Sequence, residues 1–156
     1  MESPPSRLSA KPSWLITQLA VHARRLVFAG FAETDARGYH YRLLAALEEF
    51  GPMSQATLGR RCSVDRSDVV NAVNELAGQG LVERAPDPAD RRRNTVTITD
   101  AGRSRLRRMD GVLDGVQDDL LAPLSADERR HLVALLGRVL DHHAGQLPDD
   151  GTRDGA

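Results

Sequence analysis

The amino-acid sequence predicts a mainly α-helical fold with a small β-wing of two to three strands, a winged helix-turn-helix with dimerisation helices at both ends. Two short helical segments separated by a tight break at residues 62–64 give the first indication. Two short alternating segments between residues 81 and 99 follow, and their period of two predicts a β-ribbon. Longer segments with apolar stripes at helical spacing precede and follow this region.

The composition is that of an ordinary globular chain. The 156 residues carry a net charge of −1, with 40% hydrophobic and 28% charged residues. Residues 59–108 hold eleven basic and seven acidic side chains, whereas residues 109–156 hold four basic and ten acidic ones. A basic centre beside an acidic segment indicates one surface that faces a polyanion.

No segment indicates export or membrane insertion. No apolar run approaches the roughly 20 residues of a membrane span, and the N-terminus lacks a signal-peptide pattern. The single cysteine, Cys62, excludes an internal disulfide and a multi-cysteine metal site. We therefore expect a cytoplasmic protein with no membrane partner.

We expect one domain, residues 13–144, between two loose ends. Residues 1–12 are rich in proline and serine and are predicted to be disordered, and residues 145–156 are predicted to form a flexible tail. The parts of the domain are a central lobe and the helices that flank it: about residues 39–100, 13–31 and 101–144.

The central lobe contains the helix-turn-helix pattern. Ser54 is predicted to cap a short helix that ends near Arg61, and Asp65 to cap a helix over residues 66–79. On the second helix an apolar stripe is predicted to face the core, namely Val69, Val70, Val73 and Leu76. The outward side chains are then Arg66, Ser67, Asp68, Asn71 and Asn74.

These outward side chains have the chemistry that reads base edges in a major groove. Arginine pairs with guanine, and asparagine pairs with adenine. On the preceding helix, Ser54, Gln55 and Arg60 are candidates for contacts with backbone phosphates. An ordinary polar helix face is the alternative, and the basic ribbon that follows makes it the weaker one.

The ribbon carries a cationic tip. Its first strand begins at Leu81, its second spans residues 95–99, and between them lie Arg91, Arg92 and Arg93. Guanidinium groups attract phosphate and fit narrow minor grooves, so the tip predicts double-stranded DNA as a partner. A solvated hairpin whose charge serves solubility is the alternative.

Apolar stripes at both ends of the chain predict a homodimer. A winged helix alone offers too little surface to cover the first helix and the last two. Pairing across a two-fold axis would bury the excess apolar surface. We expect an obligate dimer through residues 13–31 and 125–144.

Several motifs between Phe50 and Gly102 resemble the core of one known family. They are Phe50–Gly59, Asp65–Val70, the wing Asp87-Pro88-Ala89-Asp90-Arg91-Arg92-Arg93, and Ile98-Thr99-Asp100-Ala101-Gly102. In these motifs the chain resembles the MarR family of bacterial transcription regulators, and with the flanking helices the resemblance covers about residues 13–144. It implies a homodimeric, ligand-responsive repressor on a pseudo-palindromic operator, with recognition helices in major grooves and wing arginines in minor grooves.

The resemblance also implies roles within the wing. Asp87 and Asp90 are expected to structure the loop, with Asp90 fixing one arginine by a charge-assisted bond. Arg92 is the first choice for the minor groove, with Arg91 and Arg93 on phosphates or on the two aspartates. The sequence leaves this assignment open.

A further implication of the resemblance is a small ligand that weakens DNA binding. The pocket is expected between the dimer helices and the DNA-binding lobe. Aromatic side chains with histidine suit a planar aromatic or phenolic compound. The candidate residues are Trp14, Gln18, His22, Tyr39, His40 and Tyr41. The alternative is that they are core or dimer contacts.

Other functions have less support from the sequence. Cys62 is a redox candidate because Arg60 and Arg61 would lower its thiol pKa, but a structural role is favoured. We expect no cofactor and no metal, because the histidines do not converge. The absence of a Gly-rich phosphate loop, a nucleophile elbow and a His-Glu-x-x-His run predicts a non-enzyme. A winged helix used only for protein contacts remains an alternative.

Overall fold

The computed structural model describes residues 4–32, 34 and 36–144 of the chain. Within these ranges the polypeptide forms seven helices and two strands. In chain order they are α1 (Ser6–Ser9), α2 (Pro12–Phe31), α3 (Gly38–Phe50), α4 (Gln55–Cys62), α5 (Arg66–Gly78), β1 (Val82–Pro86), β2 (Asn94–Ile98), α6 (Asp100–Leu120) and α7 (Ala126–Ala144). The mainly helical fold with a small sheet is as the sequence predicted.

The chain divides into two compact units, Met1–Leu120 and Leu121–Ala156, where the sequence predicted a single domain over residues 13–144. The first unit holds α1 to α6 and the sheet. The second holds α7, which begins with a capping box: Ser125 N–H donates to Glu128 Oε2 at 2.8 Å and Glu128 N–H donates to Ser125 Oγ at 3.3 Å.

The N-terminal segment differs from the prediction of disorder over residues 1–12. Ser6–Ser9 forms one helical turn, and α2 begins at Pro12, within the segment predicted to be disordered. Proline suits this first helical position because its φ is already near the helical value and its missing N–H would have no helical partner there. Residues 1–3 of the segment and the predicted tail, residues 145–156, lie outside the described residues.

The core of the first unit lies where α3, α4 and α5 meet the sheet. Apolar residues at helical spacing supply it, and those buried completely include Leu43, Leu44, Leu58, Val73, Leu76 and Val96. Because these side chains come from both helices of the helix-turn-helix and from β2, the core fixes the wing against the helices.

The wing is an antiparallel pair in which Val82 faces Ile98 at the base and Pro86 faces Asn94 toward the tip. Met53 adds a single bridge to β2 through two hydrogen bonds with Val96, Met53 N–H to Val96 O at 3.2 Å and the reverse at 2.8 Å. Two strands and one bridging residue account for the predicted two to three strands.

A left-handed residue sets the end of each helix in the helix-turn-helix. After α5, Gly80 has φ +71°, and the Leu81 N–H donates to Leu76 O at 2.9 Å. After α4, Ser63 has φ +51°, and the Val64 N–H donates to Gly59 O at 3.0 Å. Both ends are Schellman motifs, which turn the chain sharply toward the next element.

The Thr99-x-x-Gly102 motif joins the wing to α6. Thr99 Oγ1 accepts from the Gly102 N–H at 3.0 Å and donates to Gly80 O at 2.7 Å. A Cβ on Gly102 would meet the Leu81 carbonyl oxygen well inside van der Waals contact and Ile98 Cγ1 at 2.8 Å. The motif therefore reflects close approach of α6 to the base of the wing.

Candidate nucleic-acid interface

The helix α5 presents the polar face that the sequence predicted, with one difference. Its buried residues are Val69, Ala72, Val73 and Leu76. Val70 was predicted to face the core and is instead 38% exposed, because at 100° per residue it lies at the edge of the buried arc. Among the predicted outward residues, Asp68 is half-buried, and the exposed ones are Arg66, Ser67, Asn71 and Asn74.

The helix α4 brings its three predicted phosphate contacts to the start and end of one short helix. Ser54 occupies the N-cap, where its Oγ accepts from the Thr57 N–H at 3.2 Å. Gln55 follows it, half-buried, and Arg60 is exposed with Nη2 donating to Thr57 Oγ1 at 3.3 Å. The Ser54 hydroxyl therefore already serves the helix, whereas the Arg60 charge remains at the surface.

Arg84 on β1 ties the wing to both helices, and sequence reasoning missed it. Its Nε donates to Gln55 Oε1 at 3.1 Å, and its Nη2 donates to Asn74 Oδ1 at 2.6 Å. An exposed arginine on a strand ordinarily contacts only solvent. Nothing in the sequence indicates that α4 and α5 lie within reach of Arg84.

The wing loop is built by its two aspartates. Asp87 Oδ1 accepts from the Ala89 N–H at 2.9 Å, and Asp90 Oδ1 accepts from the Arg92 N–H at 3.1 Å. Both bonds span two residues, which is the geometry of an Asx turn. The Asp87 N–H donates to Arg93 O at 2.7 Å and closes the loop.

The three wing arginines have different surroundings. Arg93 Nε lies 3.8 Å from Asp90 Oδ2, so Asp90 holds the third arginine of the run. Along the part of the chain that the structure covers, the side chains of Arg91 and Arg92 have no polar partner. Two exposed guanidinium groups thus remain at the tip, where they can attract phosphate.

A buried histidine on α3 contacts α5. His40 is 3% exposed, and its Nε2 is 2.9 Å from Glu75 Oε2 on α5. Arg37 Nη1 lies 3.7 Å from Glu75 Oε1. Burial lowers the pKa of His40 below its ordinary value of 6.5, against the opposing pull of Glu75. The neutral ring therefore links the start of α3 to α5.

The six predicted ligand residues are spread over two helices. Trp14, half-buried, and the exposed Gln18 and His22 lie on α2. On α3, the Tyr41 hydroxyl donates to Asp110 Oδ1 at 2.8 Å, which raises its pKa. His40 is paired with Glu75, and exposed Tyr39 lies beneath the Arg42 guanidinium, 5.9 Å from the ring centre. Tyr41 and His40 thus have structural partners already.

A cavity of about 210 Å³ lies instead against α6. The described residues that line it are Thr34, Arg105, Arg108, Met109 and Val112, none of which was a predicted ligand residue. Its wall is almost entirely apolar, so Arg105 and Arg108 line it mainly with their aliphatic stems, and Arg105 Nη1 donates to Gln79 Oε1 at 3.5 Å. This cavity could not be predicted from the sequence, because arginines recur along α6 and only the fold selects two of them.

Cys62 does not have the surroundings of a reactive cysteine. Burial raises the pKa of its thiol, and this outweighs the opposing effect of Arg42 and Arg61. The thiol donates to Arg42 O at 3.4 Å. The sequence indicated that Arg60 and Arg61 could lower this pKa, and Arg61 does so, but desolvation of the thiolate is the larger effect.

The described residues contain neither a membrane-spanning helix nor a cluster of metal ligands. No helix there is both long and apolar enough to cross a bilayer. No group of three or more histidine, cysteine, aspartate or glutamate side chains among them converges as metal ligands would.

Comparison with known proteins places the chain among transcription regulators. The MarR family model matches residues 34–93. A putative transcriptional regulatory protein for the hcr operon of Thauera aromatica is 33% identical over 130 residues, which are 78% of this chain and 78% of that protein. The transcriptional repressor NicR of Pseudomonas putida is 34% identical over 98 residues, 63% of this chain and 62% of NicR.

Solved structures share the fold. The PcaV transcriptional regulator of Streptomyces coelicolor, solved in complex with its natural ligand, is 30% identical, with a TM-score of 0.71 over 90% of this chain and 98% of that one. The transcriptional repressor CouR, bound to a 23-mer DNA duplex, has a TM-score of 0.79 over 90% of this chain and 99% of its own at 22% identity, a likeness of fold.

Proposed function

We propose that this chain, which belongs to the MarR family of transcription regulators, is a homodimeric repressor that binds a pseudo-palindromic operator. The observation that carries the proposal is one surface with two parts: the polar face of α5 and the partner-free guanidinium groups at the wing tip. NicR, which is 34% identical and is named a repressor, supports repression rather than activation.

Each part of this surface suits a different groove. The exposed Arg66 and Asn71 on α5 carry the groups that bind base edges in a major groove. The wing tip, with Arg91 and Arg92, suits the narrower minor groove and its negative potential. Arg60 at the end of α4 supplies charge for the phosphates between them.

Exposed apolar side chains support the dimer. On α2, Phe28 is 79% exposed, and its exposed neighbours include Leu15, Ile16 and Leu19. The helix α7 has no buried residue, and its Leu140 is 69% exposed. Apolar stripes of this size are covered in stable proteins, and the equivalent helices of a two-fold partner would cover each stripe.

Selection of genomic DNA fragments with purified protein tests the DNA-binding role. We expect a pseudo-palindrome whose half-sites are centred about one helical turn, roughly 10 base pairs, apart. Asn71→Ala should reduce the preference for the selected sequence, whereas Gln117→Ala, an exposed change on α6, should not. Selected fragments that share no common sequence would contradict the proposal. Failure to retain any DNA would also contradict it, and is the result expected of a winged helix that binds only proteins.

We also propose that an organic anion regulates this protein from the cavity against α6. Met109 and Val112 form part of the apolar wall, and Arg105 and Arg108, whose stems line the cavity, would turn their charged ends toward a bound anion. Arg105 also lies close enough to His40 to lower the pKa of that ring, and His40 binds Glu75 on α5. An anion bound at Arg105 would therefore lie close to the His40–Glu75 contact, which joins α3 to α5. PcaV, which is named with its natural ligand, supports ligand control.

Salicylate is a suitable probe for this second proposal, with the neutral salicylamide as its comparison. Binding measured by calorimetry should be stronger for salicylate, and Arg105→Met or Arg108→Met should weaken it by about tenfold, as expected for a lost charge-assisted bond. Arg107→Met, outside the cavity lining, is the matched control. Equal binding by all four proteins would remove this cavity as the site.

A further inference from the structure

Arg84 constrains which hydrogen bonds two of the DNA-facing amides can make. It lies on β1, and its guanidinium reaches Gln55 on α4 and Asn74 on α5 at 3.1 and 2.6 Å. No carboxylate of the described chain pairs with Arg84, so these two amides are its polar partners there.

The direction of both amides follows from the chemistry of arginine. A guanidinium group carries only donors, so the amide atom that faces it must be the oxygen. The –NH₂ groups of Gln55 and Asn74 therefore point away from Arg84. Because the exposed Asn74 lies on the outward face of α5, its free group on the DNA side is a donor.

This arrangement changes the base that suits Asn74. Bidentate recognition of adenine needs the amide oxygen to accept from N6 and the amide nitrogen to donate to N7. One of the two lone pairs on the Asn74 oxygen accepts from Arg84, and the positive charge of Arg84 disfavours a second donor, such as adenine N6, at the same oxygen. Guanine instead presents two acceptors, N7 and O6, in the same groove, and these suit the free –NH₂ group. The amide held by Arg84 accordingly favours guanine.

Asn71 provides a comparison on the same helix face. It is exposed like Asn74, and in the described structure its amide has no polar partner. Its oxygen and nitrogen are both free, so the adenine pairing expected for asparagine stays open to Asn71. Two asparagines one turn apart thus differ in what they can read because only one lies within reach of the wing.

We propose that Arg84 is a positioning residue that holds Asn74 and Gln55 with their donors toward DNA, so that Asn74 selects guanine over adenine. The same contact aims the Gln55 amide donors at backbone phosphate, which is the role predicted for Gln55. This inference rests on the proposed DNA-binding function.

The test compares wild type, Arg84→Met and Asn74→Ala on operators in which each base pair is varied in turn. Wild type should prefer guanine at one position per half-site. We expect Arg84→Met to reduce that guanine-over-adenine preference by about fivefold, the size of a modest base contact. In the Asn74→Ala background the Arg84 change should have no further effect on this preference. Arg91→Met is the control, and should lower affinity for all sequences alike.

A second measurement reads the amide geometry without DNA. In ¹⁵N-labelled protein, the side-chain –NH₂ resonances of Asn74 and Gln55 should shift in Arg84→Met while that of Asn71 stays in place. Unshifted amides, or a uniform loss of affinity with the base preference intact, would overturn the positioning role and leave the proposed function standing. Absence of any sequence preference in wild type would overturn both.

Discussion

His40 illustrates how one buried side chain connects the interior to the DNA-facing helix. Its Nε2 binds the Glu75 carboxylate, and its Nδ1 has no partner among the described residues. A neutral ring with the proton on Nε2 satisfies both facts, because Nε2 then donates to Glu75 and Nδ1 bears only a lone pair. A charged ring would bury an unpaired N–H donor at Nδ1.

Acid should therefore destabilise the folded chain through His40. The folded-state pKa lies below the ordinary value of 6.5, so the unfolded chain binds the proton more tightly. The stabilisation is present above pH 6.5 and is lost as the pH falls through the folded-state pKa. Urea denaturation across this range should show that His40→Gln loses part of this slope, whereas exposed His22→Gln keeps it. Equal slopes in wild type and His40→Gln would contradict this role.

Gly102 occupies a position that has no room for a side chain. Gly102→Ala should lower the free energy of unfolding by about 1–3 kcal/mol, as overpacking against rigid backbone does. The matched control is Gly115→Ala on the same helix, where a Cβ would meet nothing within 4 Å. That change should raise stability by about 0.5–1 kcal/mol through helix propensity. Thermal denaturation of both proteins checks the pair, and equal effects would contradict the packing argument.

At the scale of the element, the wing depends on its aspartates more than on its strands. The strands contribute five residue pairs, but the tip is shaped by the turns at Asp87 and Asp90. Asp90 uses one oxygen for the Arg92 N–H and places the other near Arg93. Substitution of Asp90 can separate the turn from the ion pair. Asparagine keeps an oxygen that accepts from the Arg92 N–H but removes the charge that attracts Arg93.

Asp90→Asn and Asp90→Ala should therefore differ in operator affinity. Both remove a negative charge near DNA, but only alanine loses the turn. We expect Asp90→Ala to bind about fivefold more weakly than Asp90→Asn, which corresponds to one net hydrogen bond of about 1 kcal/mol. Fluorescence anisotropy with labelled operator measures both. Equal affinities would show that the Asp90 turn does not position the tip.

Elements with strong local signals were predictable from the sequence, and contacts between elements were not. The Ser54 helix cap and the β-ribbon were predicted from spacing alone and are present. The prediction that Val70 faces the core was wrong, because the sequence does not show which arc of α5 the core covers. Arg84 and the Arg105–Arg108 cavity depend on chain approach across long sequence separations, which periodicity does not encode.

At the scale of the whole molecule, the proposed operator binding requires two copies of the chain to act together. The apolar stripes on α2 and α7 are far from the DNA-facing residues in sequence, yet the spacing of two recognition helices would depend on them. A dimer also doubles the number of wing arginines on one operator, and each adds to the electrostatic part of the affinity.

Breaking the dimer should thus abolish tight operator binding without unfolding the chain. Leu140→Glu places a charge in the apolar stripe of α7, whereas Ala134→Glu places it on the opposite side of the same helix. Sedimentation should show monomers for the first and dimers for the second. A Leu140→Glu protein that remains dimeric at micromolar concentration would remove α7 from the interface.

The most direct test of the DNA-binding account is the salt dependence of operator affinity for wild type, Arg92→Ala and Arg138→Ala. Arg92 is at the wing tip, and Arg138 is an exposed arginine on α7. We predict a steep loss of wild-type affinity with salt, and for Arg92→Ala a weaker affinity with a log–log slope shallower by about one per copy. Arg138→Ala should match wild type. Identical slopes and affinities for all three proteins would contradict a wing that inserts arginine into DNA.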